Sequence, residues 1–279
     1  MLRLAGLPFA VEPREELTEE ENRALVLLDD GGGPVPPVFR LILVSGPPFG
    51  PGGTDLPGPG EPAMVECAGE TLRVSKRSFQ TELLPLEGFG RLFRVPGPEP
   101  GLILSLKVAL ASVLPLRSGL ALHSAAVARG ADGLMFFGPS GAGKSTIAGL
   151  SPYPVLSDEI VVVMEGPSGF TVRCSGFWGS LDAVDAPRGS FRLRGVFQLA
   201  KGRATRLEPL DPAGGFRSLL RVALVPPSPV VWAAALNILG RMTETLTVHR
   251  MTWNPAAPPW EALELHLAGL APCGATRSE

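Results

Sequence analysis

Gly138-Pro-Ser-Gly-Ala-Gly143-Lys144-Ser145-Thr146 fits the phosphate-binding pattern G-x-x-x-x-G-K-[ST] at every position. Glycines let successive backbone N–H groups curl around an anion. A lysine ammonium can bridge terminal phosphates, and the Ser145 hydroxyl can ligate Mg²⁺. Gly138, Pro139, Ser140, Gly141, Ala142, Gly143, Lys144, Ser145 and Thr146 are therefore the candidate nucleotide cradle. The chain carries only four lysines among its 25 basic residues, so a lysine in the slot that calls for a compact ammonium stands out.

Phosphoryl transfer also needs a carboxylate for the metal and, for a hydroxyl acceptor, a group that takes its proton. Asp158 and Glu159 lie 14 and 15 positions beyond Lys144, in the β-branched run Val155–Met164. That interval has room for a helix of ~8 residues spanning ~12 Å and a tight return into the next strand. Side chains alternate along a strand, so both acids can face the phosphates only if the strand bulges or begins beside them. Leu156 and Ile160 share a face with Asp158, where an unpaired charge is costly, so Asp158 needs a metal or a hydrogen-bond partner. Asp158 is thus a candidate metal ligand with Ser145 and the preferred catalytic carboxylate, and Glu159 is the second candidate. His123 sits on a strand expected beside the loop strand and could approach the carboxylates across the sheet. On spacing alone, a lone strand histidine is more often a packed or hydrogen-bonded residue than a catalytic one.

The elements that must position these residues are readable around them. Gly133–Phe137 reads as a buried strand running into the loop, and Ser145–Leu150 as a helix leaving it. Leu120–Ala128 reads as a strand joined to the loop strand by the turn 129–133, a hairpin. The apolar run Gly101–Leu114 reads as a buried helix stopped by Pro115; broken by Lys107, it is too short to span a membrane. Before it, Ala24–Leu28, Val38–Val44 and Thr71–Ser75 read as short strands between Pro/Gly loops such as Gly31–Pro37 and Pro47–Gly53. Pro96–Gly101 is the expected linker. It divides a β-rich accessory or substrate-recognition domain, residues 1–100, from a phosphate-loop domain, residues 101–279. No internal repeat is visible.

Composition narrows the class. The 279 residues are 45% hydrophobic, ample for a sizeable core, and the 64 glycines and prolines gather in loops. A net charge of −2 with scattered arginines gives no reason to expect a nucleic-acid partner. Cys67, Cys174 and Cys273 are odd in number and lack C-x-x-C spacing, which argues against disulfides and structural zinc. With no secretory h-region and no membrane span, the expected location is the cytoplasm.

Taken in order, His123-Ser-Ala-Ala-Val127, Phe137-Gly-Pro-Ser-Gly-Ala-Gly-Lys-Ser-Thr146 and Leu156-Ser-Asp-Glu159 resemble the HPr kinase/phosphorylase C-terminal domain. They are similar in particular to stand-alone relatives that include lasso-peptide-type serine kinases. Ser175–Gly179, Phe191–Phe197 and Leu246–Trp253 look like later segments of that group, and the likeness covers about residues 100 to 265. The resemblance implies an α/β (mixed α+β) fold: a phosphate-loop HPr-kinase/PEP-carboxykinase-like core with a mixed sheet. It implies ATP and Mg²⁺ as cofactors, a protein or peptide partner with an acceptor serine, and a His123/Asp158 pair that helps deprotonate the acceptor. Two departures matter. The family commonly has two aspartates where this chain has Asp158 and Glu159, and no counterpart of the segment linked to phosphorylase activity is present, so that reaction is not expected.

Three readings follow: a Mg-ATP-dependent serine kinase, a kinase of small-molecule hydroxyls, and a nucleotide-binding regulatory module without turnover. The absence of N-K-x-D and L-S-G-G-Q elements argues against a GTPase switch and a transporter ATPase. Self-association is left open. Arg192 and Arg194, on one face of Phe191–Leu199, are further candidates for transition-state charge or, more simply, solvated strand residues. Trp178 is a candidate for the acceptor site or a loop anchor, and His249 and His266 show no partner pattern.

Overall fold

The computed structural model describes residues 2–14, 17–28, 36–45, 56–58, 61–94, 101–181 and 186–269. It is a mixed α/β protein with two mixed sheets and few helices. Contacts divide it into two compact units, residues 1–119 with 224–235, and residues 120–223 with 236–279. The expected linker residues 96–100, like Cys273, lie outside the described residues.

The first unit is built on a seven-stranded sheet: β1 (Leu2–Leu4), β2 (Leu7–Pro13), β3 (Phe39–Ser45), β4 (Met64–Ala68), β5 (Thr71–Ser75), β6 (Phe79–Leu84) and β7 (Phe89–Arg94). Their order is β1-β2-β3-β7-β6-β5-β4. The ladder is parallel only at β2/β3 and β3/β7. Parallel neighbours need a long crossover, and α1 (Glu19–Leu28) lies between β2 and β3. The run Ala24–Leu28, expected as a strand, is therefore helical. The reason lies upstream: the Thr18 Oγ accepts from the Glu21 N–H at 3.2 Å while the Glu21 carboxylate accepts from the Thr18 N–H at 2.9 Å, a capping box that starts the helix. Helix α2 (Gly101–Val113) is buried over much of its circumference, and its Ser105 hydroxyl bonds Thr81 of β6 at 2.6 Å. Pro115 ends it, and the 3₁₀ turn Pro115–Arg117 follows.

The second unit holds the phosphate-loop motif. Its strands are β8 (Gly119–Arg129), β9 (Asp132–Phe137), β10 (Val155–Ser157), β11 (Ile160–Gly166), β12 (Gly169–Cys174), β13 (Phe191–Lys201), β14 (Arg206–Pro209) and β15 (Val248–Trp253). β8 and β9 form the expected antiparallel hairpin, with Ser124 opposite Phe137. β9 then runs parallel to β13, and β13 parallel to β15, so Phe137, Gln198 and Arg250 stand in one row. The helices are α3 (Lys144–Gly149), α4 (Pro212–Leu220), α5 (Pro229–Thr245) and α6 (Trp260–Gly269). On the sheet face that carries α3 and α6, Phe136, Phe197, Met251 and Trp253 pack with Ile147, Leu263 and Leu267. Phe136 stacks on Phe197 at 5.5 Å, Trp260 meets Phe136 edge-on, and the Trp260 indole N–H donates to the Leu150 carbonyl at 2.9 Å, tying the end of α3 to α6. Among the described residues no helix is long and apolar enough to cross a membrane.

Candidate functional site

Strand β9 delivers the loop. The buried run ends at Phe137, the Ala142 N–H closes a turn on the Pro139 carbonyl at 3.1 Å, and α3 starts at Lys144. Two positions demand glycine. Gly141 and Gly143 have φ of +74° and +97°, and a Cβ on Gly143 would lie 2.8 Å from the Trp253 ring. Lys144 is 8% exposed, and its ammonium donates to the carbonyls of Gly138 at 3.1 Å and Pro139 at 3.3 Å. Burial pushes its pKa down, so two neutral carbonyls leave the charge under-compensated. Pro139, Ser140, Gly141 and Thr146 are exposed, and Ser145 is half-buried.

The acids sit where the sequence demanded a break. Val155–Met164 is not one strand: a bend at Asp158 and Glu159 separates β10 from β11. Ser157 makes that bend. Its fully buried hydroxyl donates to the Phe177 carbonyl at 3.0 Å and accepts from the Glu159 and Ile160 N–H groups at 3.2 Å each. Ser175 repeats the device one loop on, donating to the Ile160 carbonyl and accepting from the Phe177 N–H.

Asp158 is 3% exposed and saturated with donors. Its Oδ1 accepts from the Gly179 N–H at 2.8 Å, and its Oδ2 from the Ser180 N–H at 2.9 Å, the Leu181 N–H at 3.3 Å and the Ser180 hydroxyl at 3.4 Å. Burial alone would raise its pKa, but the amides of Gly179 and Ser180, the Ser145 hydroxyl and the Leu181 amide outweigh burial and hold it below the usual carboxylate range. Ser145 of the phosphate loop thus lies close enough to the acid to help lower its pKa. Glu159 is half-buried, and its carbonyl accepts from the Ser124 N–H at 3.1 Å.

His123 is exposed, one position beyond the Ser124–Phe137 pair, so it stands at the register level of Gly138. Its main-chain N–H donates to the Val222 carbonyl at 2.7 Å. The ends of β8, β9 and β10 thus gather His123, the phosphate loop, Asp158 and Glu159. The arginine candidates fall elsewhere. Arg192 pairs with Asp132 at 2.7 Å at the start of β9, five residues before Phe137, or ~16 Å at strand rise. Arg194 belongs to the same end of β13. His249 and His266, without a partner pattern in the sequence, stack edge-to-face at 4.5 Å beside Phe197.

A cavity of about 410 Å³ opens beside the loop, lined by Ala142, Gly143, Thr146, Lys201, Trp253 and Asn254 among others. Lys201 and Trp253 face each other in the β13–β15 ladder, and the Gly202 N–H donates to the Trp253 carbonyl at 3.0 Å. Sequence reasoning missed Lys201, Trp253 and the amides of Gly179–Leu181. A signal existed for Lys201, another of the four lysines. Among the described residues no group of three or more His, Cys, Asp or Glu side chains is placed to hold a metal alone. No family model matches the chain, and no curated protein matches its sequence.

Proposed function

We propose that this protein is a Mg-ATP-dependent kinase that transfers a phosphoryl group to a serine hydroxyl of a protein or peptide, on an HPr-kinase-like phosphate-loop core. The observation that carries the reading is the phosphate loop itself: it runs from the end of β9 into α3, holds the buried Lys144 ammonium on two loop carbonyls, and brings the Ser145 hydroxyl close to the buried Asp158 carboxylate, whose pKa it helps to lower. Magnesium commonly takes one or two protein oxygens and completes its shell with phosphate oxygens and water, so Ser145, backed by Asp158, fits such an ion. When bound, the ion would neutralise charge on the β- and γ-phosphates.

The remaining parts follow from chemistry. Loop amides of 140–146 cradle the phosphates, and Lys144 exchanges its two carbonyl acceptors for phosphate oxygens. The cavity beside Thr146 takes the nucleoside, with Trp253 as apolar wall and Asn254 and Lys201 as polar contacts. The acceptor oxygen forms its bond to the γ-phosphorus as the bond to the β–γ bridging oxygen breaks. Its proton passes to a neighbouring base, and ADP leaves. Asp158, already serving four or more donors, orients Ser145 and the 179–181 loop, while Glu159 and His123 are the groups left to accept the proton.

Calorimetry and transfer from γ-labelled ATP test the reading. Wild-type protein binds Mg-ATP, and Lys144→Met weakens binding by ~10- to 150-fold, the value of one charge-assisted hydrogen bond or slightly more. Because burial disfavours the ammonium, Lys144→Met leaves the melting temperature unchanged or raises it. Wild-type protein that binds no nucleotide would end the proposal; binding without label transfer to any hydroxyl would leave only the regulatory-module reading.

A further inference from the structure

On the sheet face opposite α3 lies a second cavity, of about 250 Å³, lined by Arg217 and Ser218 with Arg221, Arg250 and Gln198. Arg217 lies in α4, Arg221 is its C-terminal cap in helical conformation, and Arg250 is on β15. All three are exposed, and none forms an ion pair among the described residues. Glu208 stands opposite Arg250 in the β14–β15 ladder without bridging to it, and Asp211 is engaged at the Gly214 N–H. The buried Gln198 Oε1 has no hydrogen-bond partner. Three uncompensated guanidiniums around one opening form a site for several negative charges.

We infer that this face docks an acidic, extended stretch of the acceptor polypeptide, an inference that rests on the kinase reading for the identity of the polypeptide and deepens it. The spacing supports an extended chain. Arg217 and Arg221 are four helical residues apart, a rise of ~6 Å, close to the ~6.6 Å between same-side residues of a strand. Carboxylates at alternate positions therefore meet successive guanidiniums, and Arg250 on β15 lines the same opening. The open, exposed setting suits a polypeptide laid across it better than an enclosed small ligand. The site is also wired to the chemistry. Gln198 pairs in register with Phe137, the residue before the phosphate loop, and Arg221 precedes Val222, whose carbonyl holds the His123 N–H.

The test is fluorescence anisotropy with the full chain and a labelled peptide carrying glutamate at alternate positions on either side of a serine, against the same peptide with glutamine. The glutamate peptide binds and the glutamine peptide does not. Binding weakens steeply with salt, and Arg217→Ala with Arg221→Ala lowers affinity about tenfold while Mg-ATP affinity stays at the wild-type level. Lys144→Met retains full peptide affinity, which separates this site from the nucleotide site: peptide binding without any ATP binding would sink the kinase and leave the docking face. Equal affinity for the two peptides, unchanged affinity in the arginine variant, or full displacement by millimolar inorganic phosphate would overturn the inference, the last by revealing a small-anion pocket.

Discussion

Asp158→Asn removes one charge and one acceptor from a carboxylate that serves the amides of Gly179, Ser180 and Leu181 and the hydroxyl of Ser180. The asparagine oxygen can keep the Gly179 bond. Its NH₂ then replaces Oδ2 and points at the Ser180 and Leu181 N–H groups, two donors with nothing to donate to beside a residue that is 3% exposed. Each stranded donor costs ~1–3 kcal/mol, so the substitution destabilises the second unit by ~2–6 kcal/mol. At ~2–4 °C per kcal/mol, that is a fall of ~5–20 °C in melting temperature, read by circular dichroism at pH 7. The pH dependence carries the sign. A carboxyl held below its unfolded value contributes stability that is complete above that value, near ~4, and is lost as pH falls through the folded value. The gap between wild type and variant should persist from pH 7 to 5 and close in more acid solution. Nucleotide affinity should drop more in the presence of Mg²⁺ than in EDTA, because Ser145 loses its anchor. A variant that melts with the wild type at pH 7 would refute the donor cage, and with it the role assigned to Asp158.

Two further outcomes follow from the geometry. Gly143→Ala forces an alanine to φ +97° with its Cβ 2.8 Å from the Trp253 ring, and should cost ~1–3 kcal/mol and at least tenfold in ATP affinity. Gly141→Ala, at φ +74° with nothing within 4 Å, should cost only the ~1–2 kcal/mol of backbone strain; paired melting and calorimetry separate the two. His249 and His266 both have lowered pKa values, from burial in each case and for His249 also from repulsion by His266. Their unfolded forms take up protons first, so stability should fall as pH drops below ~6.5. His249→Phe should flatten the melting profile between pH 7 and 5.5, and an unchanged profile would remove the pair from the acid response.

Local pattern made the centre of the second unit legible. The β8–β9 hairpin, the loop and the start of α3 follow from a turn at 129–133, a buried run and a glycine-rich motif, all within thirty residues. The break at Asp158 was legible only as a condition, because alternation forbids two adjacent strand residues on one face unless the strand bulges or begins beside them, and its agent, Ser157, was not legible at all. A serine that bends a strand is indistinguishable in composition from one that merely sits in it. The helix over 24–28 was misread because β-branching and apolarity outweighed the four-residue capping box Thr18–Glu21 that fixes its phase. The cavity wall was illegible for a different reason. Lys201 and Trp253 meet only because β13 and β15 are parallel neighbours, and parallel pairing across some fifty residues leaves no local trace.

The same logic assigns different tasks to two adjacent acids. Asp158 is buried and held ionised by amide donors from one loop, so its lone pairs are committed before any substrate arrives. A carboxylate with a depressed pKa is a poor proton acceptor and a good electrostatic anchor. Glu159, the second residue of the bend, is half-buried and stands at the level where Ser124 and hence His123 meet the loop. Under the proposed kinase reading, the longer side chain at this position would serve to reach an acceptor that an aspartate would miss. Lys144 completes the argument from the other side. A buried ammonium resting on two carbonyls is a cation waiting for an anion, and it stands at the start of α3, in a glycine-rich loop whose backbone amides can hold one.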